Sequence, residues 1–491
     1  MSFRTYTCPI SRHCGGCEWL AVPYPIQLRR KQSMMEELLG PVAGRDGARL
    51  GRIHGMEEPV SFRHKAATPF SPTRGGAIRS GFYAAGTHRI VDCDACLVED
   101  PRARPILNDV ACICAQVGIH AYQEDRGRGI LRHAVVRCGY ATDDILLTLV
   151  TNGQQLPRSN ELVEGIVRSH PEVTSIVQNV NQRRTNAILG RECRTLFGPG
   201  VMHDKLLGCT FEIGPTSFYQ TNPRQTEVLY ALAVEAAGLR GGERVLDAYC
   251  GTGTIGICAA AATRRRGAEV QDVRVIGVEQ VGDAVACARR NATANGLGGS
   301  CSFVREDATA FMRKAAGCGE GRFDVVFMDP PRAGSTPAFI HGVAGLAPHR
   351  VVYISCNPTT QARDLKEFQQ LGYAVSTVEL VDMFPHTKHV ETIVLLSKLD
   401  SKKYISVELP MDDMDLTSAE SKATYKQIQN YIFKKFGFKV SNLYIAQVKE
   451  KCGIKERENY NKPKKEDLKQ PICPIEKEEA IKDAFRYFQM I

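Results

Sequence analysis

No apolar run in this sequence reaches the length of about 18 residues that a membrane-spanning helix requires. Its opening, MSFRTYTCPIS, lacks the apolar stretch of a secretory signal peptide. A cytoplasmic chain with no membrane partner is therefore expected. Lysine is scarce through most of the length. Only seven precede residue 400 (Lys31, Lys65, Lys205, Lys314, Lys366, Lys388 and Lys398), and arginine supplies nearly all the positive charge there. From 400 onward there are sixteen lysines and only Arg457 and Arg486. The change follows the strand-like run VETIVLLSKL and marks residues 399–491 as an appended module. No internal repeat is evident.

The 491 residues allow about three domains of ordinary size. With 43% hydrophobic and 24% charged residues, most of the chain can bury normal cores. The net charge of +9 suits a polyanionic partner without demanding one. The pI of 8.7 falls short of the value above about 9 typical of a dedicated nucleic-acid module. The eighteen cysteines of a cytosolic chain are expected as thiols, metal ligands or catalytic groups rather than disulfides. Cys112, Cys114, Cys138, Cys258 and Cys287 sit among apolar neighbours and read as small core residues.

Residues 1–100 are rich in Cys, Pro and Gly. Between 130 and 200, strand-like runs (LRHAVVRC, DILLTLVT, TSIVQNV) alternate with a helical stretch near 159–169, a mixed α/β pattern. From 225 to 397, apolar strands (RVLDAY, VRVIGVE, FDVVFMD, RVVYISC, ETIVLLS) alternate with helical patterns such as GDAVACARRNATANG. That rhythm predicts βαβ units and a mostly parallel sheet.

Within that sheet, ERVLDAYCGTGTIGICAAAA runs from strand through Gly251, Gly253 and Gly256 into a helix, so GxGxxG stands where it permits close approach to a ligand. Glu279, closing the next strand, suits ribose hydroxyls. NAD and S-adenosylmethionine both fit this pattern. Asp247 before the loop is placed for a cationic amino group and Asp307 in FVREDA for an adenine edge, which favours S-adenosylmethionine.

Three further strand ends carry the chemistry. FDVVFMDPPRAG sets Asp329 at the C-terminal edge of the sheet, with two prolines fixing the chain. Arg332 follows where amino-group methyltransferases have an aromatic. RVVYISCNP ends in Cys356, a candidate nucleophile. HTKHVETI carries Glu391, with His386 and His389, ahead of the last strand, and Glu391 supplies a general base. Attack of a Cys356 thiolate on C6 of uracil makes C5 nucleophilic. A base that then removes the C5 proton releases the cysteine.

DAYCGTGTIG, GVE, MDPPRAG, SCNP and HVETI, with SFYQTNPRQTEVLY upstream, resemble the uracil-5 RNA methyltransferases over roughly residues 1–398. The resemblance implies Cys356 as nucleophile and Glu391 as base. It also implies S-adenosylmethionine contacts from Gln220, Tyr249, Glu279 and Asp329, and Phe218 stacking beside a flipped nucleotide. Cys8, Cys14 and Cys17 with Cys96 resemble the 4Fe-4S cluster of the ribosomal-RNA branch, with 23S rRNA as the implied substrate. A zinc site on the same thiolates or free thiols are the alternatives, and Cys93 competes with Cys96. Two features depart from the family. The small basic β-barrel that often precedes the cluster is missing, and the lysine-rich tail is additional. Rival functions are tRNA uridine-5 methylation, an NAD-dependent oxidoreductase and a non-catalytic RNA-binding protein. No obligate protein partner is implied.

The expected fold class is α/β, built on a Rossmann-like methyltransferase sheet. Residues 1–100 form an iron–sulfur region with part of the central domain, and 101–205 a central α/β RNA-binding domain. Residues 206–398 form the S-adenosylmethionine-dependent domain and 399–491 a helical tail. In the tail, Tyr425, Ile428, Ile432 and Phe433 predict one helix closed at Gly437. Leu443, Ile445, Ala446 and Val448 predict a second, ending near Gly453. Lys434, Lys435, Lys439, Lys449 and Lys451 are expected on the outward faces, as RNA contacts or as a solvated surface.

Overall fold

LRHAVVRC and ILLTLVT are buried at every position, the mark of strands covered on both faces. The computed structural model describes residues 4–84, 86–124, 126–185, 187–267, 271–317, 322–399, 425–452 and 473–488. In it these two runs lie at the centre of a seven-stranded sheet. Its strands are β1 (Lys65–Pro72), β2 (Ile78–Tyr83), β3 (Ile90–Asp92), β4 (Leu131–Cys138), β5 (Ile145–Thr151), β6 (Ser175–Val180) and β7 (Glu192–Phe197), in the order β3-β2-β1-β4-β5-β6-β7. Alternate side chains serve two cores. Ile145, Leu147 and Leu149 meet helices Ala103–Gln116 and Ser159–Ser169. Leu146 and Val177 point the other way, into a core shared with Phe211, Tyr230 and Val245.

A hairpin of β8 (Met202–Leu206) and β9 (Cys209–Ile213) leads into the second sheet. That sheet comprises β10 (Arg244–Ala248), β11 (Arg274–Glu279), β12 (Cys301–Arg305), β13 (Val325–Met328), β14 (Arg350–Ser355), β15 (Tyr373–Val381) and β16 (Glu391–Lys398). The order is β12-β11-β10-β13-β14-β16-β15, parallel from β12 to β14, with β16 antiparallel to both neighbours. The order reverses at β10, and ligands of open α/β sheets bind at the carboxyl ends beside such a reversal. The predicted Rossmann-like sheet is thus present, with an antiparallel edge that the apolar runs alone did not reveal.

Helix Tyr24–Arg45 had no counterpart in the sequence reading. Its Met35, Leu39 and Val42 share a core with Val326, Tyr353 and Leu380, so it covers the methyltransferase sheet. Leu50 and His54 then bridge to Val378 and Val381 along β15. Residues 24–54 therefore pack with the second sheet rather than with the central one. Cys114, Cys138, Cys258 and Cys287 are buried as expected, but Cys112 lies on the outer face of its helix and is exposed.

The chain divides into two units, Met1–Lys403 and Tyr404–Ile491. The second contains helices Tyr425–Phe436, Asn442–Lys451 and Ile475–Tyr487 around Ile428, Ile432, Ile445, Val448, Ile481 and Phe485. Gly437 takes the left-handed conformation (φ 77°) that closes the first helix, and Phe433, expected inside, is half exposed. The third helix was not anticipated, and it alters the lysine face. Lys435 pairs with Asp483 at 2.8 Å and Lys451 with Glu478 at 2.5 Å, while Lys449 is buried rather than outward. Among the described residues no helix is long and apolar enough to cross a membrane.

Candidate active site

The glycine turn after β10 is shaped by backbone geometry. Gly251 and Gly253 take positive φ (55° and 80°), which a side chain disfavours. A Cβ on Gly253 would lie 2.8 Å from the Phe303 ring, whereas one on Gly251 would meet nothing within 4 Å. The Gly251 backbone thus faces open space, as a turn approached by a ligand must. Glu279, at the end of β11, accepts the Gly251 N–H at 3.3 Å and the Val281 N–H at 2.8 Å. Phe218, Gly251, Glu279, Val281 and Asp283 line one open cavity. Phe218 is 70% exposed, and its loop is held by Arg137 of β4, which donates to the Ser217 carbonyl at 2.5 Å.

Other expected cofactor residues are placed differently. Asp247 is buried under the loop and accepts the Gly256 N–H at 2.9 Å, so it braces the helix start. Burial pushes its carboxyl up to about 7. Tyr249 has positive φ (63°) and packs tilted against Phe339, with ring centroids 5.0 Å apart. Asp307 caps the following helix through the Ala310 N–H at 3.0 Å, close enough for its charge to act on Tyr249. Gln220 lines a separate small cavity with His64, Lys65 and Arg137.

The proposed chemistry gathers where β13, β14 and β16 meet. Ser355 pairs with Thr392 in the antiparallel register, so the next step sets Cys356 opposite Glu391. Asn357 donates to the Arg332 carbonyl at 2.9 Å and caps helix Pro358–Gln370, joining the SCNP and DPPR turns. Thr392 donates to the Ser355 carbonyl at 3.2 Å and to Gln361 at 2.6 Å, fixing the start of β16. Burial, then the Asp329 charge, pushes Glu391 up to about 8, while Arg332 opposes both. Burial pushes Asp329 up to about 7. The Cys356 thiol is raised by burial, then by Glu391 and Asp329, and lowered by the charge and hydrogen bond of Arg332. Four groups therefore act on one another here. Arg332 is the one whose role the sequence reading missed, and its place after Asp-Pro-Pro was the available signal. Cys356 opens onto a cavity lined by Met34, Met35, Arg332, Lys388 and His389. His386 is buried instead, bonded to Gln27 and to the Pro59 carbonyl.

Cys8, Cys14, Cys17 and Cys96 line one small cavity, with Cys93 also on its wall. Burial, then the neighbouring Cys96, Cys14 and Cys8, pushes Cys17 up to about 12. Cys93 hydrogen-bonds the Ala95 carbonyl at 3.3 Å. Among the described residues, no three His, Cys, Asp or Glu side chains are grouped to hold a single metal ion.

Residues 207–399 match the family model described as tRNA (uracil-5-)-methyltransferase. An uncharacterised RNA methyltransferase of Halalkalibacterium halodurans is 40% identical over 389 residues, covering 79% of this chain and 82% of its own. One from Staphylococcus aureus is 39% identical, covering 79% and 83%. The solved Pyrococcus abyssi tRNA (uracil-54, C5)-methyltransferase, in complex with S-adenosyl-L-homocysteine, is 26% identical with a TM-score of 0.61, covering 78% of this chain and 85% of its own. Together with the sheet order and the strand-end residues, these likenesses place the chain in the family of S-adenosylmethionine-dependent uracil-5 RNA methyltransferases.

Proposed function

We propose that the chain methylates C5 of a uridine in 23S rRNA through a covalent bond from Cys356. The observation that carries this reading is the register that sets Cys356 opposite Glu391, with Arg332 and Asp329 beside them. S-adenosylmethionine supplies the methyl group when bound, and the open Gly251 turn with Glu279 and Tyr249 suits it. Asp329 and Gln220 are assigned to it by family resemblance, as is Asp307 by its place after β12. Arg332 favours the thiolate of Cys356, which adds to C6 of the uracil and leaves C5 electron-rich. Once C5 carries the methyl group, the carboxylate of Glu391 takes its proton. The electrons left behind re-form the C5–C6 double bond as the C6–S bond breaks and Cys356 leaves as the thiolate. Phe218, exposed in the cavity it shares with Gly251 and Glu279, stacks on a base taken out of the RNA.

Cys8, Cys14, Cys17 and Cys96 are assigned to a 4Fe-4S cluster, supported by the single cavity they line. The chemistry above moves no net electrons, so the cluster orders the loop that holds it. That thiol set favours ribosomal RNA. The solved relative whose name gives a tRNA position favours tRNA as the second reading.

Purified protein with tritiated methyl donor is to be offered unmodified ribosomal RNA and tRNA in parallel. Label in 5-methyluridine of 23S rRNA is the expected result, and label in tRNA alone would reassign the substrate. A Cys356→Ala enzyme that still methylates uridine would overturn the mechanism.

A further inference from the structure

Away from Cys356, the central sheet presents an end that the reaction does not use. Leu131 pairs with Thr151, Thr151 with Val180 and Val180 with Glu192. β1 runs antiparallel to β4 and closes at the same end. Residues 70–74, 122–124, 126–131, 180–185 and 187–192 thus share one edge. An open cleft there is lined by Phe70, Tyr83 and Tyr122 together with Arg74, His88 and Arg126. The Tyr83 ring is half-buried, 5.5 Å from His88. The Tyr122 ring already carries the Arg132 guanidinium on one face, 4.8 Å away.

Arg132 also organises the neighbouring loops. It is nearly buried and donates to the carbonyls of Asn181 at 2.7 Å and Arg183 at 2.8 Å, and to Glu124 at 3.0 Å. Glu124 and the 181–183 segment are therefore fixed side by side. A Cβ on Gly127 would lie 2.8 Å from the Arg184 guanidinium. Arg126, Arg128, Arg183 and Arg184 are all exposed along this edge. Arg191, just before β7, reaches the cavity shared by Phe218, Gly251 and Glu279. Of the nearby acids among the described residues, Glu124 is engaged by Arg132 and Glu192 accepts from Gln154 at 3.1 Å.

We propose that this cleft and its arginine row are a second RNA-docking site, which holds single-stranded RNA flanking the target uridine. A flanking base stacks on Tyr83, and phosphates follow Arg126, Arg128, Arg183 and Arg184 toward Arg191 and the Phe218 cavity. An exposed arginine alone is usually a solvated surface group. Here a row of them joins an aromatic cleft to the mouth of the candidate active site. Aromatic platforms flanked by guanidinium groups are the usual means of gripping unpaired nucleotides. The proposal rests on the uridine-5 reading above only for the direction of the track.

The test is the full chain carrying Arg126→Ala and Arg184→Ala, two exposed positions. RNA binding is measured by fluorescence anisotropy across a salt series, and methyl transfer by KM and kcat. Losing two phosphate contacts should lower the slope of log affinity against log salt by about 1.4 on the single-strand scale. KM for RNA should rise about ten-fold with kcat unchanged. Tyr83→Leu should weaken binding and Tyr83→Phe restore it, since the stacking face survives only in the latter. An unchanged salt slope and KM in the arginine pair would overturn the proposal. The slope is read without methyl transfer, so a wild-type chain that binds RNA but fails to methylate uridine would count against the function and not against this site.

Discussion

The backbone N–H of Trp19 donates to the carbonyl of His386 at 2.9 Å, tying the loop that carries Cys8, Cys14 and Cys17 to the segment that ends in Glu391. Tyr6 packs edge-on against the His386 ring at 5.3 Å, and Gln27 bonds both His386 and the Trp19 carbonyl. Disorder in the thiol loop should therefore displace the base before it displaces the nucleophile. Cys17→Ser is expected to leave formation of the RNA adduct nearly intact and to slow its breakdown about ten-fold. Rapid-quench kinetics resolve the two steps, and equal losses in both would contradict the coupling.

A buried ion pair supports the same segment. Lys31 and Asp382 are both fully buried, 2.5 Å apart, and Tyr24 donates to the second Asp382 oxygen at 2.7 Å. Lys31→Met removes one charge and leaves the other without its partner, at a cost of about 3–5 kcal/mol. Lys31→Met with Asp382→Asn should recover part of that loss, because no uncompensated charge remains. Urea denaturation of the two variants checks the order.

The pH dependence of adduct release should report Glu391. Its carboxyl is raised to about 8, so below that pH the proton-accepting form is the minor one. Release should quicken about ten-fold per pH unit well below 8 and level off above it. Glu391→Gln should form the methylated adduct and release it slowly at every pH. A release rate that falls as pH rises from 6 to 8 would exclude Glu391 as the base.

Much of this was legible because strand ends announce themselves. FDVVFMD and RVVYISC are apolar runs closed by Pro-containing turns, and such runs place Asp329 and Cys356 at one sheet edge whatever the tertiary details. Helix Tyr24–Arg45 escaped because Pro41 and weak amphipathicity hide its period, although Met34 and Met35 reach the Cys356 cavity. Asp247 was misread for another reason. Sequence places it beside the loop, but only packing decides that its carboxylate turns inward to Gly256.

The thiol assignment separates at Cys93 and Cys96. Both line the cavity and both feel the neighbouring thiols, but Cys96 and not Cys93 acts on Cys17, and Cys93 donates to the Ala95 carbonyl of its own turn. Anaerobically purified protein should hold about four irons and four sulfides per chain. Cys96→Ser should lose them and Cys93→Ser retain them. Stoichiometric zinc without iron would replace the cluster assignment.

Among the described residues, the tail lysines are less free than their number suggests. Lys435 and Lys451 are held by Asp483 and Glu478 of helix Ile475–Tyr487, and Lys449 is buried, leaving Lys439 exposed without an ion pair to an acid among the described residues. A lysine paired with a carboxylate releases few counterions on meeting a phosphate, because its charge is already balanced. Each free contact contributes about 0.7 to the salt slope on single strands. Lys435→Ala together with Lys451→Ala should accordingly change the slope for RNA binding by less than about 1. Affinity for S-adenosyl-L-homocysteine should be unchanged, since the Gly251 turn belongs to the first unit. Anisotropy across a salt series and calorimetry on this double variant read the two quantities. A slope lowered by about 1.4 would show that RNA displaces the Asp483 and Glu478 pairs and that the lysine face is a binding surface after all.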